Sequence, residues 1–299
     1  MIKVSNVTKT FDGFTALNQL DLNVSKGSVY GLIGPNGAGK TTIIKNLCGI
    51  YRPDEGDILI DNQPVYENNA VKQRMIYISD ELFFYSTYSI KATADMYSKI
   101  YPKWDWNRYQ NMKEVFKMDD KRKIRRLSKG MQKQVAFWLG ISACPDIMIL
   151  DEPVDGLDPV MRRNVWSLVL SDVAENETTV LISSHNLREL EDVCDHVGIM
   201  FNGKVVLEKS LDDVKGNIHK VQTAFADGIP DELIRKLKPL HISEFGSVKT
   251  MIVKGVTEDI KAQIAKYNPL ICDILPLTLE EVFIYELGGM GYEFENIIL

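Results

Sequence analysis

Gly34-Pro35-Asn36-Gly37-Ala38-Gly39-Lys40-Thr41-Thr42 fits G-x-x-x-x-G-K-[ST], the loop that wraps nucleotide phosphates. Its surroundings fit too. Val29–Ile33 reads as a buried strand before it. Thr41–Cys48 reads as a helix after it, with Gly49 as the stop. Glycines let the backbone turn tightly, so several N–H groups can point at one phosphate. The following helix aims its positive end at the same place. Lys40 adds a point charge for the terminal phosphates, and the Thr41 hydroxyl can ligate Mg2+.

The chain has 299 residues, which bounds it to one large domain or two. No apolar run approaches the ~20 residues of a membrane span, and no signal-peptide pattern opens the sequence. The expectation is a soluble, cytosolic chain. Four widely spaced cysteines have no metal spacing and read as buried reduced thiols. A net charge of −6 argues against a nucleic-acid binder.

The first sixty or so residues read as short strands: Val4–Val7, Leu20–Val24, Val29–Ile33 and Ile58–Ile60, with a hairpin at Asp12-Gly13. From Ile90 the pattern turns helical: Ile90–Ile100, Trp106–Phe116 and Ser128–Ala143. A strand at Asp146–Leu150, a helix at Met161–Val173, a strand at Thr178–Ser183 and a helix at Leu187–Val193 follow. An Asn202-Gly203 hairpin closes this part. Such alternation implies an α/β core around a parallel sheet. After about residue 215 the order is strand Val221–Phe225, helix Pro230–Leu237, hairpin His241–Val253, helix Thr257–Tyr267 capped by Thr257, strand Leu270–Leu275, and a helix over Leu279–Leu287. That β-α-β-β-α-β order is ferredoxin-like.

Ile147-Met148-Ile149-Leu150-Asp151-Glu152 is an apolar strand ending in two acids. It puts both carboxylates at the sheet edge where α/β proteins bind ligands. Asp151 can hold Mg2+ through water, and Glu152 can take a proton from an attacking water. Leu127-Ser128-Lys129-Gly130-Met131-Gln132 opens the next helix upstream, with Ser128 suited to cap it.

A phosphate loop, then a Ser-x-Gly helix start, then an apolar strand ending in Asp-Glu resemble the ATPase of ABC (ATP-binding cassette) transporters. That family's signature is Leu-Ser-Gly-Gly-Gln. Ser128 and Gly130 match it, and Lys129 and Met131 depart from it. Gly156-Leu157-Asp158 resembles the family's D-loop, His185 after Ser183-Ser184 its switch histidine, and Phe11 the aromatic that stacks on adenine. Asp80, after Ile76-Tyr77-Ile78-Ser79, occupies the slot of a metal-reaching glutamine. The resemblance covers about residues 1–215. It implies a P-loop NTPase core with an N-terminal antiparallel β subdomain, a helical subdomain at about 81–145, and a small α+β C-terminal domain from 216.

The resemblance further implies an ATP-hydrolysing subunit that uses ATP and Mg2+. Two copies would sandwich two ATP molecules as a homodimer, with Ser128 and Gly130 completing the Gly34–Thr42 site of the partner copy. A separate transmembrane permease would hold the dimer at the inner face of the membrane. The tail, notably Leu277–Phe283, and the run Tyr101–Asp105 resemble single-cassette ABC-2-type exporters, including bacterial drug and peptide efflux systems. A ribosome- or DNA-directed ABC ATPase is the alternative; such proteins usually carry two cassettes, a long coiled-coil insertion or zinc cysteines. A GTPase would need a guanine-reading Asn-Lys-x-Asp, which the sequence lacks.

Two further stretches stand out. Lys121-Arg122-Lys123-Ile124-Arg125-Arg126 is basic, either a solvated face or a source of positive potential for polyphosphate or anionic lipid. Residues 81–110 hold nine aromatics, which either build a core or form a docking surface.

Overall fold

The computed structural model describes residues 1–211, 218–226, 228–275 and 277–281. The chain divides into two units: Met1–Asn186 with Val193–Glu208, and Leu187–Asp192 with the residues from Lys209 on.

The first unit holds two sheets. Strands β1 (Ile2–Phe11), β2 (Phe14–Val24), β4 (Glu55–Ile60) and β5 (Gln63–Pro64) form an antiparallel sheet in the order β2-β1-β4-β5. Asp12 and Gly13 both take positive φ and close the β1–β2 hairpin. The second sheet has six strands in the order β10-β9-β3-β8-β7-β6. They are β3 (Val29–Ile33), β6 (Met75–Ile78), β7 (Ile147–Asp151), β8 (Thr179–Ser184), β9 (His196–Phe201) and β10 (Lys204–Ser210). The strands from β9 to β6 all pair in parallel. Every residue of β3, β7 and β8 is buried, as parallel strands covered on both faces require. Leu17, Leu32, Ile43, Ile147, Leu181 and Met200 share one core that joins the two sheets.

Helix α1 (Lys40–Leu47) follows β3 directly, and Gly49 at φ 60 ends that turn. A short α2 (Asn69–Lys72) precedes β6. The edge strand β6 is one that the sequence patterning did not announce. Helices α3 (Ile90–Ile100), α4 (Trp106–Phe116) and α5 (Lys129–Ser142) form the helical part. Ser89, Asp105 and Ser128 cap them with their side chains. Trp138 is fully buried, stacks on Tyr109 at 4.9 Å and donates from Nε1 to the Tyr109 carbonyl. The aromatic-rich stretch therefore splits: Tyr109 is core, whereas Phe83 and Tyr85 are 83% and 53% exposed. Helix α6 (Pro159–Asn176) runs longer at both ends than its apolar period indicates, because Asp158 caps it and Pro159 starts it.

The second unit contains α7 (Leu187–Glu191), shorter than the Leu187–Val193 expected. It also holds an antiparallel sheet of β11 (Ile218–Ala224), β12 (His241–Phe245), β13 (Val248–Lys254) and β14 (Ile271–Leu275), in the order β12-β13-β11-β14. Helices α8 (Asp231–Leu237) and α9 (Thr257–Ala265) supply Leu233, Ile260 and Ile264 to a core with Val221, Met251 and Val253. Thr257 does not cap α9. Val256 occupies the cap position, and the Thr257 hydroxyl lies 3.3 Å from His219 Nε2 instead. The expected domain boundary near 215 and the expected helix beyond Glu281 lie outside the described residues. No helix of the described residues is long and apolar enough to cross a membrane.

Candidate functional site

The loop between β3 and α1 is shaped by its glycines. Gly39 has φ 104, and a Cβ there would sit 2.6 Å from the Ala16 carbonyl. A Cβ on Gly34 would sit 2.3 Å from the Met200 carbonyl. The two positions admit no side chain because neighbouring strands press backbone against them.

A cleft of about 350 Å³ opens above this loop. Pro35, Asn36, Gly37, Gly39, Lys40, Thr41 and Thr42 line it, with Asp80, Asp151 and Glu152 from the sheet edge and Ala16 and Phe14 from β2. Gly34 and Ala38 support the loop from below, Ala38 being buried.

Lys40 folds back over its own loop. Its Nζ lies 2.5 Å from the Gly34 carbonyl and 3.3 Å from that of Pro35, and 4.0 Å from Glu152 Oε1. Burial pushes its ammonium below the ordinary lysine range, against the pull of Glu152 and Asp151. A polyphosphate offers that ammonium better acceptors than two carbonyls do.

Asp151 ends β7 and Glu152 follows it, each with its own partners. Asp151 is 3% exposed, and its Oδ1 accepts from Ser183 Oγ at 2.5 Å and from Thr41 Oγ1 at 3.4 Å. Glu152 stands at φ 46, a left-handed conformation that costs a side-chain-bearing residue ~1–3 kcal/mol and clusters at working sites. Its N–H bonds the Ser183 carbonyl, and Ser183 Oγ lies at 3.2 Å. Burial raises its carboxyl above the ordinary value, and His185 and Lys40 only partly oppose that. His185 Nδ1 lies 3.0 Å from Glu152 Oε2, and Asp155 joins them, all three polar groups falling within 4.8 Å of one another.

The structure thus brings together most of the residues expected at the site, but not all. Phe11 is not in the cleft lining. It packs edge-on against Tyr51 at 5.2 Å with Lys9 over its ring, while its cross-strand partner Phe14, 67% exposed, lines the cleft. The two face each other across the Asp12-Gly13 turn, so a period-2 reading of one strand could not choose between them. Ser128 and Gly130 also lie outside the cleft of their own chain. Ser128 Oγ accepts from the Met131 N–H at 3.2 Å. Asp158 Oδ1 accepts from the N–H groups of Val160 and Met161. Sequence reading missed Ser183 and Lys133, which bond Asp151 and the Glu152 peptide, and Asp155, an exposed acid beside Glu152 and His185. Only the position of Ser183 next to Ser184-His185 hinted at one of them.

Thr41, Asp151 and Asp80 offer hard oxygen donors along one wall, the set a Mg2+ ion takes.

A family model described as "ABC transporter" matches residues 17–155. The ABC transporter ATP-binding protein YtrB of Bacillus subtilis is 33% identical over 97% of this chain and 99% of its own. The bacitracin transport ATP-binding protein BcrA of Bacillus licheniformis is 32% identical, covering 72% of this chain and 71% of its own. The solved ATP-binding subunit of an ABC transporter superposes with a TM-score of 0.67 at 25% identity, over 72% of this chain and 92% of that one. With the phosphate loop, the acid pair and the histidine assembled on this fold, the chain belongs to the family of ABC transporter ATP-binding proteins and is an ATPase.

Proposed function

We propose that this ATPase powers export through a separate membrane permease, by closing two copies of the chain around ATP and opening them on hydrolysis. The observation that carries the reading is the split site. The Gly34–Thr42 loop, Asp151 and Glu152 form one cleft, with His185 bonded to Glu152, whereas Ser128 and Gly130 stand apart on an exposed helix start. A helix N-terminus with an exposed serine is suited to a phosphate presented from outside the chain.

In this reading the γ-phosphate lies over the loop and Lys40 turns from the Gly34 and Pro35 carbonyls to its oxygens. Glu152 accepts a proton from a water whose oxygen attacks the γ-phosphorus. The bond from that phosphorus to the β-bridging oxygen breaks, and ADP and phosphate leave. His185 holds the Glu152 carboxylate in place. Thr41, Asp151 and Asp80 would hold Mg2+, which would supply charge neutralisation on the phosphates. The adenine stacks at the β1–β2 turn on Phe14, the ring that lines the cleft, with Phe11 packed behind the turn on Tyr51. Asp158 orders the start of α6 at the face where the second copy would sit.

We place the nucleotide-binding domain at about 1–215 and an accessory domain after it. The permease docks on the helical part. Exposed Phe83, Tyr85 and Tyr88 lie beside Lys123 there, tied by the Ser89–Lys123 bridge and by the Ile124 N–H on the Tyr88 carbonyl. Lys121, Arg122, Lys123, Arg125 and Arg126 are all exposed. A transport role rather than a ribosomal one is supported by relatives named as bacitracin and lantibiotic transport ATP-binding proteins. Co-expression with a multi-span permease tests the reading. Co-purification with it, and ATPase stimulation in the complex, are expected; a chain that associates with ribosomes and no permease would overturn it.

A further inference from the structure

Lys133 sits on the second turn of α5, in step with Phe137 and Ile141 at i+4 and i+8, on the face that packs inward. It is 4% exposed. An ammonium so buried needs an acceptor for each of its three protons. It finds the Glu152 carbonyl at 2.7 Å, the Asp155 carbonyl at 3.1 Å and Asp80 Oδ1 at 3.5 Å.

We infer that Lys133 is a positioning residue for ATP hydrolysis, whose ammonium fixes the Glu152 peptide and joins it to Asp80 and to the signature helix. The inference rests on the reading of Glu152 as the group that takes the water's proton.

Three observations support it. First, Glu152 stands at φ 46, one residue past the end of β7, where the last bond of the β7–β8 ladder holds its N–H and leaves its carbonyl without a strand partner. Its peptide is gripped from both sides, the N–H by Ser183 and the carbonyl by Lys133. A strained residue keeps its conformation only when its surroundings over-determine it. Second, the same ammonium bonds the Asp155 carbonyl, so it closes the turn from Glu152 to Asp155 that leads on to Asp158. Third, its remaining contact is Asp80, a half-exposed acid that lines the nucleotide cleft. The negative charge that Asp80 brings to that wall is thereby met by a cation carried on the helix that Ser128 caps. One side chain thus touches the carboxylate-bearing turn, the cleft wall and the element that serves the partner copy.

The test compares Lys133→Met and Lys133→Arg, alone and with Glu152→Gln, by phosphate release and by titration with a fluorescent ATP analogue. Lys133→Met is expected to lower turnover ~10²-fold, the effect of about 1 Å of misplacement. Nucleotide Kd should stay within about two-fold, and Lys133→Arg should recover most of the turnover, since its fork can reach the same carbonyls. On top of Glu152→Gln, Lys133→Met should cost under about two-fold more, because no base remains to be misplaced. Turnover near wild type in Lys133→Met overturns the inference. So does an undiminished loss in the Glu152→Gln background, or a Kd that moves as far as turnover. If Lys133→Met does not fold, Lys133→Gln against Lys133→Arg is judged by the same criteria. A slow Glu152→Gln with a fast Lys133→Met sinks Lys133 alone, whereas wild-type turnover in Glu152→Gln sinks the reading beneath it.

Discussion

His185 Nδ1 lies 3.0 Å from Glu152 Oε2, which makes the histidine the orienting partner of the buried acid. Glu152→Gln removes the proton acceptor but keeps the shape. It should retain ATP affinity and slow phosphate release by ~10²–10⁴, the usual worth of a general base. His185→Ala leaves the acid in place and should cost less than Glu152→Gln. Wild-type turnover in Glu152→Gln would rule out its role.

Ser128 is exposed and serves its own chain as the cap of α5. Ser128→Arg should cost about 1 kcal/mol of stability through the lost cap. It should also block ATP-dependent dimerisation while a single chain still binds nucleotide. Sedimentation velocity with ATP and the Glu152→Gln background reads this directly; a dimer in the arginine variant would mean that Ser128 does not face a partner's nucleotide.

Phe14 and Phe11 differ in what they touch. Phe14 is open to the cleft, so Phe14→Ala should weaken ATP binding about 2–10-fold, the worth of one aromatic stack. Phe11 packs on Tyr51, so Phe11→Ala should lower the melting temperature more than it lowers affinity. Nucleotide titration and thermal melts of the two variants decide between them.

Asp146 is bonded by Arg74 at 2.6 Å and by Lys103. Burial alone would raise its carboxyl, but Lys103 and Arg74 outweigh burial and hold it below the ordinary aspartate value. Its contribution is therefore complete above about pH 4, the unfolded value, and is lost as pH falls through the lower folded one. Asp146→Asn should cost roughly 1–2 kcal/mol at pH 7 and flatten the acid limb of stability. Urea unfolding between pH 3 and 7 measures both; an unchanged acid limb would mean the pair contributes nothing.

The phosphate loop, the acid pair and most elements of the first unit are legible in the sequence. Each of these is written locally: glycines where a strand bends into a helix, an apolar run ending in acids, Ser or Asp at helix starts. The hairpin at Asp12-Gly13 and the helices Ile90–Ile100 and Trp106–Phe116 were legible for the same reason. Short β6 was not, and Thr257 is no cap because a cap is a geometry and not a residue type.

Which distant side chains meet depends on how strands and helices pack. Ser183 reaches Asp151 across 32 positions of chain and His185 reaches Glu152 across 33, through the parallel register of β7 and β8. Lys133 reads in sequence as one more polar residue on a helix. It becomes the clamp on Glu152 because the packing of α5 leaves its ammonium no water and offers two backbone carbonyls instead.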